Sequence, residues 1–139
     1  NVRQLTSGQP NEVWSFGEKV YEVLKKFLFL RERLRSYVRG LMKEASETGA
    51  PVMRPLFFDF PSDPACWNVE DSYMFGPDLL VSPVMEAGAQ RSVYLPVGCR
   101  WTDAYTHQTY EGGQTVTVPA PIDVIPVMVR EGREYPIYD

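Results

Sequence analysis

The chain has 139 residues, a hydrophobic content of 44%, a charged content of 23% and a net charge of −4. These values fit one globular domain, or a small domain with an appendage, and exclude a disordered or collagen-like chain. No apolar run reaches the ~18 residues of a membrane span, and no long basic stretch offers a phosphate-binding surface. We therefore expect neither a membrane nor a nucleic-acid partner.

A long amphipathic helical pattern occupies the first third of the chain, from Ser15 to Thr48. Apolar residues recur there at steps of three and four, with charged residues on the opposite side. Ser15 and Glu18 have the spacing of a capping box, so Ser15 is the predicted N-cap. Gly49 and Pro51 predict the helix end. Because one helix of this length is unusual, we expect a break near residues 30–33 or at Gly40.

After Pro51, short apolar runs separated by proline and glycine predict strands. The predicted strands are 52–60, 79–85, 92–95, 100–101, 105–110, 114–118 and 122–130, with a helical turn near 71–75 and a hairpin turn at Gly112-Gly113. The fold class is therefore mixed α and β, with an N-terminal long helix or helix pair followed by an antiparallel β-sandwich. The domain boundary falls between residues 50 and 51.

The expected sandwich core includes aromatic and aliphatic residues of two predicted strands and one tryptophan. These are Phe57, Phe58, Phe60, Leu80, Val81 and Trp101. Two cysteines, Cys66 and Cys99, match no zinc-ligand spacing, so no metal is expected. They form either a disulfide or two buried or half-buried thiols, and the second alternative favours a reducing, cytoplasmic compartment.

The candidates for chemistry are few, and each has a structural alternative. His107 is the single histidine, next to a predicted hairpin, and no Gly-x-Ser-x-Gly motif accompanies it. Carboxylates that either form a glycosidic acid/base pair or cap turns are Asp59, Asp63, Glu70, Asp71 and Asp78. Tryptophans that either stack on sugars or anchor a core are Trp14, Trp67 and Trp101. No phosphate-binding glycine loop is present, and no cofactor is expected.

Four stretches in order along the chain resemble glycoside hydrolase family 31, which contains α-glucosidases and α-xylosidases. RERLRSYVRGLMKEASETGAPVMRPLFFDFPSD, residues 31–63, resembles the end of the family's catalytic barrel. WNVEDSYMFGPDLLVSPV, residues 67–84, is similar to the entry into its proximal C-terminal β-sandwich, and residues 91–132 are similar to the rest of that domain. NEVWSFGE, residues 11–18, resembles the start of the last barrel helix in xylosidase-like members.

The resemblance implies that residues 1–50 are the remnant of the last βα unit of a (β/α)₈ barrel, and that residues 51–139 are the proximal β-sandwich. It also implies that the nucleophile and the acid/base of the retaining mechanism lie upstream, so this chain has no catalytic residue of its own. Arg3 and Trp14 would contact substrate only in an intact barrel. Leu5 stands where the family's Arg-x-His has its histidine, and Ser36 where many members have proline.

The expected function is that of a C-terminal structural fragment of a retaining α-glycosidase, inactive alone. The alternatives are a stand-alone carbohydrate-binding sandwich and an interaction module. The expected partners are the remainder of the parent barrel and, through the exposed helix, a second copy of the chain.

Overall fold

The computed structural model describes residues 12–138, which fall into two compact units that divide between Arg35 and Ser36. The first unit contains a short 3₁₀ helix, Val13–Phe16, and helix α1, Glu18–Arg33. The second unit contains nearly all of helix α2, Arg35–Thr48, and all of the sheet structure. Arg3 and Leu5 lie outside the described residues.

The break between α1 and α2 lies at Leu34, one residue beyond the predicted window. Leu34 has φ −85° and ψ 1°, and its N–H donates to the Leu30 carbonyl. The predicted capping box is wrong. Ser15 lies inside the 3₁₀ helix and donates its hydroxyl to Glu12, while Gly17, at φ 89°, separates that turn from α1. The predicted end at Gly49 is confirmed, since Gly49 has φ 78° and follows the last residue of α2.

The sandwich consists of a six-stranded antiparallel sheet in the order β1-β2-β3-β8-β5-β6 and a two-stranded sheet of β4 and β7. The strands are β1 Met53–Arg54, β2 Tyr73–Phe75, β3 Leu79–Val81, β4 Gln90–Leu95, β5 Arg100–Asp103, β6 Thr109–Glu111, β7 Gln114–Pro119 and β8 Val127–Arg130. Helices α1 and α2 precede these strands, so the predicted fold class is confirmed.

Both sheets contribute to one core. The buried cluster contains Leu56, Phe60, Cys66, Met74, Leu80, Val93, Leu95, Trp101, Val116, Val118 and Met128. Leu80 and Trp101 are fully buried, as expected. The expectation for Phe58 is wrong, because that side chain is 45% exposed, and Phe57 and Val81 are half-buried.

The run 52–60 does not form one strand. β1 ends at Arg54 because Pro55 has no N–H to donate to a sheet. Helix α3, Leu56–Asp59, follows, and it turns Leu56 and Phe60 toward the core four residues apart. The helical turn predicted at 71–75 is also wrong: Tyr73–Phe75 is strand β2, and the 3₁₀ helix lies earlier, at Pro64–Asn68.

The hairpin predicted at Gly112-Gly113 is wrong, because at these residues the chain crosses from one sheet to the other. β6 before them pairs with β5, and β7 after them pairs with β4. The Gly112 N–H donates to the Cys99 carbonyl, and the Gly113 N–H to the Leu95 carbonyl. A Cβ on Gly112 would overlap the Pro96 carbonyl oxygen, so the crossing requires a glycine there.

Candidate functional site

Asp63, in the acidic stretch that follows β1, has a structural role. Asp63 is 7% exposed, and its carboxylate accepts hydrogen bonds from Tyr94 Oη at 2.7 Å, Val97 N at 3.0 Å and Ala65 N at 3.1 Å. Burial alone would raise the pKa of this carboxyl, but these hydrogen bonds outweigh burial, and its pKa lies below the ordinary value. Asp63 therefore joins the 3₁₀ helix Pro64–Asn68 to the end of β4.

Two further acidic candidates, Asp59 and Asp71, also have partners of their own. Asp59 lies 3.4 Å from the buried Arg54 guanidinium, and burial, partly offset by Arg54, raises the pKa of its carboxyl. Asp71 pairs with Arg91 at 2.9 Å. Glu70 is exposed. These contacts favour the turn-capping and structural alternative over an acid/base pair.

Four residues attach α2 to the sandwich: Tyr37, Gly76, Asp78 and Tyr135. We call them the joint. Tyr37 Oη donates to the Phe75 carbonyl at 2.8 Å and accepts from Asp78 N at 3.3 Å. Burial raises the Tyr37 pKa to about 12. The Tyr135 ring packs against Tyr37 at a tilt of 56°, with ring centroids 4.8 Å apart, and its hydroxyl donates to Asp78 Oδ2 at 2.7 Å. Gly76, at φ 65°, leaves room for Tyr37.

The two cysteines are free thiols. Of the two alternatives that the sequence left open, the pair of thiols is therefore present and the disulfide is not. Cys66 is buried beside Asp63, and burial raises its pKa to about 12. Cys99 is half-buried. In residues 12–138 no group of three or more histidine, cysteine or acidic side chains is arranged to hold a metal ion.

The three tryptophans have different surroundings. Trp101 is a core anchor, fully buried, with its indole N–H donating to the Pro96 carbonyl. Trp67 is 56% exposed and stacks on Phe57 with centroids 4.5 Å apart, while its N–H donates to the Pro61 carbonyl. Trp14, in the first unit, is 68% exposed.

His107 lies in the turn between β5 and β6 and is exposed, as the structural alternative predicts. Its φ of 60° is the one left-handed value at a non-glycine residue in the described chain. The turn is held by Asp103, whose Oδ1 accepts from the N–H groups of Tyr105 and Thr106. Sequence reasoning missed Asp103, although an aspartate three residues before a Thr-His pair is a signal for such a turn.

No helix in the described part of the chain is long and apolar enough to cross a membrane.

The two-layer sandwich preceded by helix α2 defines a domain of a known family. The family model for the C-terminal domain of glycosyl hydrolase family 31 matches residues 49–133. The chain therefore belongs to glycosyl hydrolase family 31.

Solved structures of family members share both the fold and the sequence. An α-xylosidase from a soil metagenome, complexed with xylose, is 55% identical with a TM-score of 0.87, over 91% of this chain and 19% of the other. A dextranase from Flavobacterium johnsoniae is 35% identical, again with a TM-score of 0.87, over 91% of this chain and 16% of the other.

The curated relatives, like the solved structures, are much longer than this chain. The chain is 38% identical to α-glucosidase 2 from Bacillus thermoamyloliquefaciens over 129 residues. This match covers 92% of this chain and 16% of the relative. It is 36% identical to an α-xylosidase from Saccharolobus solfataricus, over 92% of this chain and 18% of the relative. The chain thus spans about a sixth of the length of these relatives.

Proposed function

We propose that this chain is the C-terminal structural part of a retaining α-glycosidase, which hydrolyses O-glycosyl bonds in carbohydrates and depends on a longer protein for catalysis. The observation that carries the proposal is the match of residues 49–133 to the family's C-terminal domain, in a chain that spans 16% of a curated α-glucosidase. The structural engagement of Asp59, Asp63 and Asp71 supports the inactivity of the chain alone.

The proposed domain division places the remnant of a barrel in residues 1–50 and the proximal sandwich in residues 51–139. The start of the family match at residue 49 supports this boundary. The joint of Tyr37, Gly76, Asp78 and Tyr135 suggests the role of the sandwich. Two hydrogen bonds at Tyr37 Oη and the contact of its ring with Tyr135 fix α2, and a third hydrogen bond holds Tyr135 to Asp78. In the parent enzyme, the sandwich would thereby hold the last barrel helix in place.

The proposed partners follow from helix α1, since none of its 16 residues is buried. Apolar side chains of the first unit that are 43–68% exposed are Trp14, Phe16, Val20, Leu28 and Phe29. In a longer parent this surface would be covered by the remainder of the barrel, where Arg3 and Trp14 would reach the substrate. In the isolated chain, a second copy would cover it as a two-fold dimer.

Self-association of the isolated chain is therefore expected, and sedimentation velocity over a concentration series measures it. Replacing Leu28 and Phe29 together by lysine should convert the dimer to a monomer, because two charges would be desolvated in the interface. Met42→Lys is the matched control, since Met42 is 59% exposed on α2. A strictly monomeric chain at the highest concentration, with no aggregate, would refute this partner.

Activity of the chain alone is tested with aryl α-glucosides and aryl α-xylosides at high protein concentration. We expect no turnover above buffer, because a retaining glycosidase needs two carboxylates about 5 Å apart on either side of the scissile bond. An intact family member, such as the Saccharolobus solfataricus α-xylosidase, is the positive control. Turnover that survives repurification and disappears on a substitution in this chain would contradict the proposal.

A further inference from the structure

Strand β7 lies at a free edge of the two-stranded sheet, because its one neighbouring strand in residues 12–138 is β4. At the end of their ladder the Ala120 N–H donates to the Ala89 carbonyl. Every second residue of an antiparallel strand, counted back from Ala120, directs its backbone groups to β4, so those of Thr115 and Thr117 point away from it. We call these outward groups, two N–H and two C=O, the β7 edge.

The β7 edge is accessible and held in place. Thr115 and Thr117 are both exposed, and within the described part of the chain no hydrogen bond from outside the β4–β7 pair reaches their backbone groups. Val116, between them, is 9% exposed and belongs to the core, so the opposite face of β7 is fixed. Ordered backbone donors and acceptors on a strand edge are a template for a further strand.

The other edges of the two sheets are protected, which distinguishes β7 from them. On the outer edge of β4, the Arg91 guanidinium donates to the Ser92 carbonyl at 2.6 Å. It also donates to the carbonyls of Pro83, at 2.9 Å, and Asp71, at 2.8 Å. The larger sheet ends in β1, of two residues, and β6, of three residues including Glu111. Short edges and charged side chains hinder the addition of a strand.

We propose that the β7 edge pairs with the β7 edge of a second copy of the chain, antiparallel and about a two-fold axis at Val116. In this register Thr115 lies opposite Thr117 of the second copy, and four N–H···O=C bonds form. Gln114–Pro119 contains no charged residue, so the axis brings no like charges together, and two threonines are a favourable cross-strand pair. Pro119 has no N–H, which ends the ladder.

This contact is separate from the one proposed for α1 and is weaker. One short strand pair buries less than the about 1,200 Å² of a stable interface, so we expect a dissociation constant of about 0.1–1 mM. The variant with Leu28 and Phe29 replaced by lysine loses the α1 contact and keeps β7 unchanged. It is therefore the background for the test, and it remains a monomer well below this dissociation constant.

The test is amide hydrogen exchange followed by NMR, at concentrations well below and well above the expected dissociation constant. We expect the amides of Thr115 and Thr117 to exchange freely in the dilute chain and to become protected in the concentrated one, because pairing gives these N–H groups acceptors. Sedimentation equilibrium of the same samples should give the mass of a dimer at the higher concentrations.

Thr117→Lys should raise the dissociation constant about tenfold or more, because the two-fold axis brings the two added charges together. Ser92→Lys is the matched control. Ser92 is exposed and lies opposite Thr117 on β4, and both substitutions remove the hydrogen bond between their hydroxyls, 3.4 Å long. The control should leave the dissociation constant within about twofold, since its edge is already covered by Arg91.

Thr117→Pro removes the outward N–H and leaves the ladder to β4, so it should weaken the pairing as much as Thr117→Lys. If it does not fold, Thr117→Lys decides. Three results would overturn the proposal: exchange of both amides that is independent of concentration, a dimer in which they stay unprotected, or equal weakening by Thr117→Lys and Ser92→Lys. Protection of both amides in the dilute monomer would also contradict it, because the chain would then cover its own edge.

Discussion

Replacing Asp63 by alanine is expected to destabilise the sandwich by about 2–4 kcal/mol. The substitution removes a buried carboxylate, so the O–H and N–H groups that donate hydrogen bonds to it lose their acceptor. The Tyr94 hydroxyl is the donor most affected, since it lies 2.7 Å from Asp63 Oδ2. Urea unfolding followed by tryptophan fluorescence measures the change. Asp71→Ala is the matched control: the side chain of Asp71 is 53% exposed, so its loss should cost no more than about 1 kcal/mol.

The same residue predicts a pH dependence. The folded-state pKa of Asp63 lies below its ordinary value of 3.8, so the folded state binds fewer protons than the unfolded state. The stabilisation is therefore fully present above pH 3.8 and is lost as the pH falls through the lower, folded-state pKa. The free energy of unfolding of the unsubstituted chain should approach that of Asp63→Asn in acid. A difference that stays constant from neutral pH into acid would contradict this role.

Replacing Gly76 by alanine is expected to cost about 4 kcal/mol and to loosen α2 selectively. A Cβ at this position would overlap Tyr37 Oη and would lie 2.7 Å from Leu41 Cδ2. The residue also has φ 65°, which is strained for alanine. Hydrogen exchange should show the largest loss of protection in α2, since Tyr37 would lose its bonds to Phe75 and Asp78.

Gly40→Ala provides the matched control for this substitution. Gly40 lies inside α2, and nothing lies within 4 Å of a Cβ built there. Alanine should stabilise the helix by about 0.5–1 kcal/mol. If both variants changed stability equally, or if Gly76→Ala left the protection of α2 intact, the joint would not be what attaches this helix.

The periodicity of the sequence predicted the helix pair and most strands, because local spacing alone determines which face is apolar. It failed where long-range pairing decides the structure. Gly112-Gly113 has the composition of a hairpin turn, yet β6 and β7 pair with β5 and β4, and no local signal distinguishes these outcomes. The run 52–60 failed for another reason: Pro55 ends β1, and four-residue spacing then buries Leu56 and Phe60.

The candidate site could be predicted only in part. The turn-capping alternative for Asp63 follows from its position before Pro64, but its bonds to Tyr94 and Val97 join residues more than 30 positions apart. The cavity lined by the end of β5 and residues 132–136 could not be predicted for the same reason, since those residues are about 30 positions apart. His107 was visible as the single histidine, but its left-handed backbone was not.

The central claim is that this chain is a structural part of a family 31 glycosidase, and a segment exchange tests it most directly. In the soil-metagenome α-xylosidase, the segment that matches this chain, 19% of its length, would be replaced by this chain. The account predicts that deleting the segment abolishes α-xyloside hydrolysis, that the exchange restores it, and that Gly76→Ala in the exchanged segment lowers the melting temperature of the whole enzyme. Full activity in the deletion variant, or a folded exchange variant without activity, would contradict it.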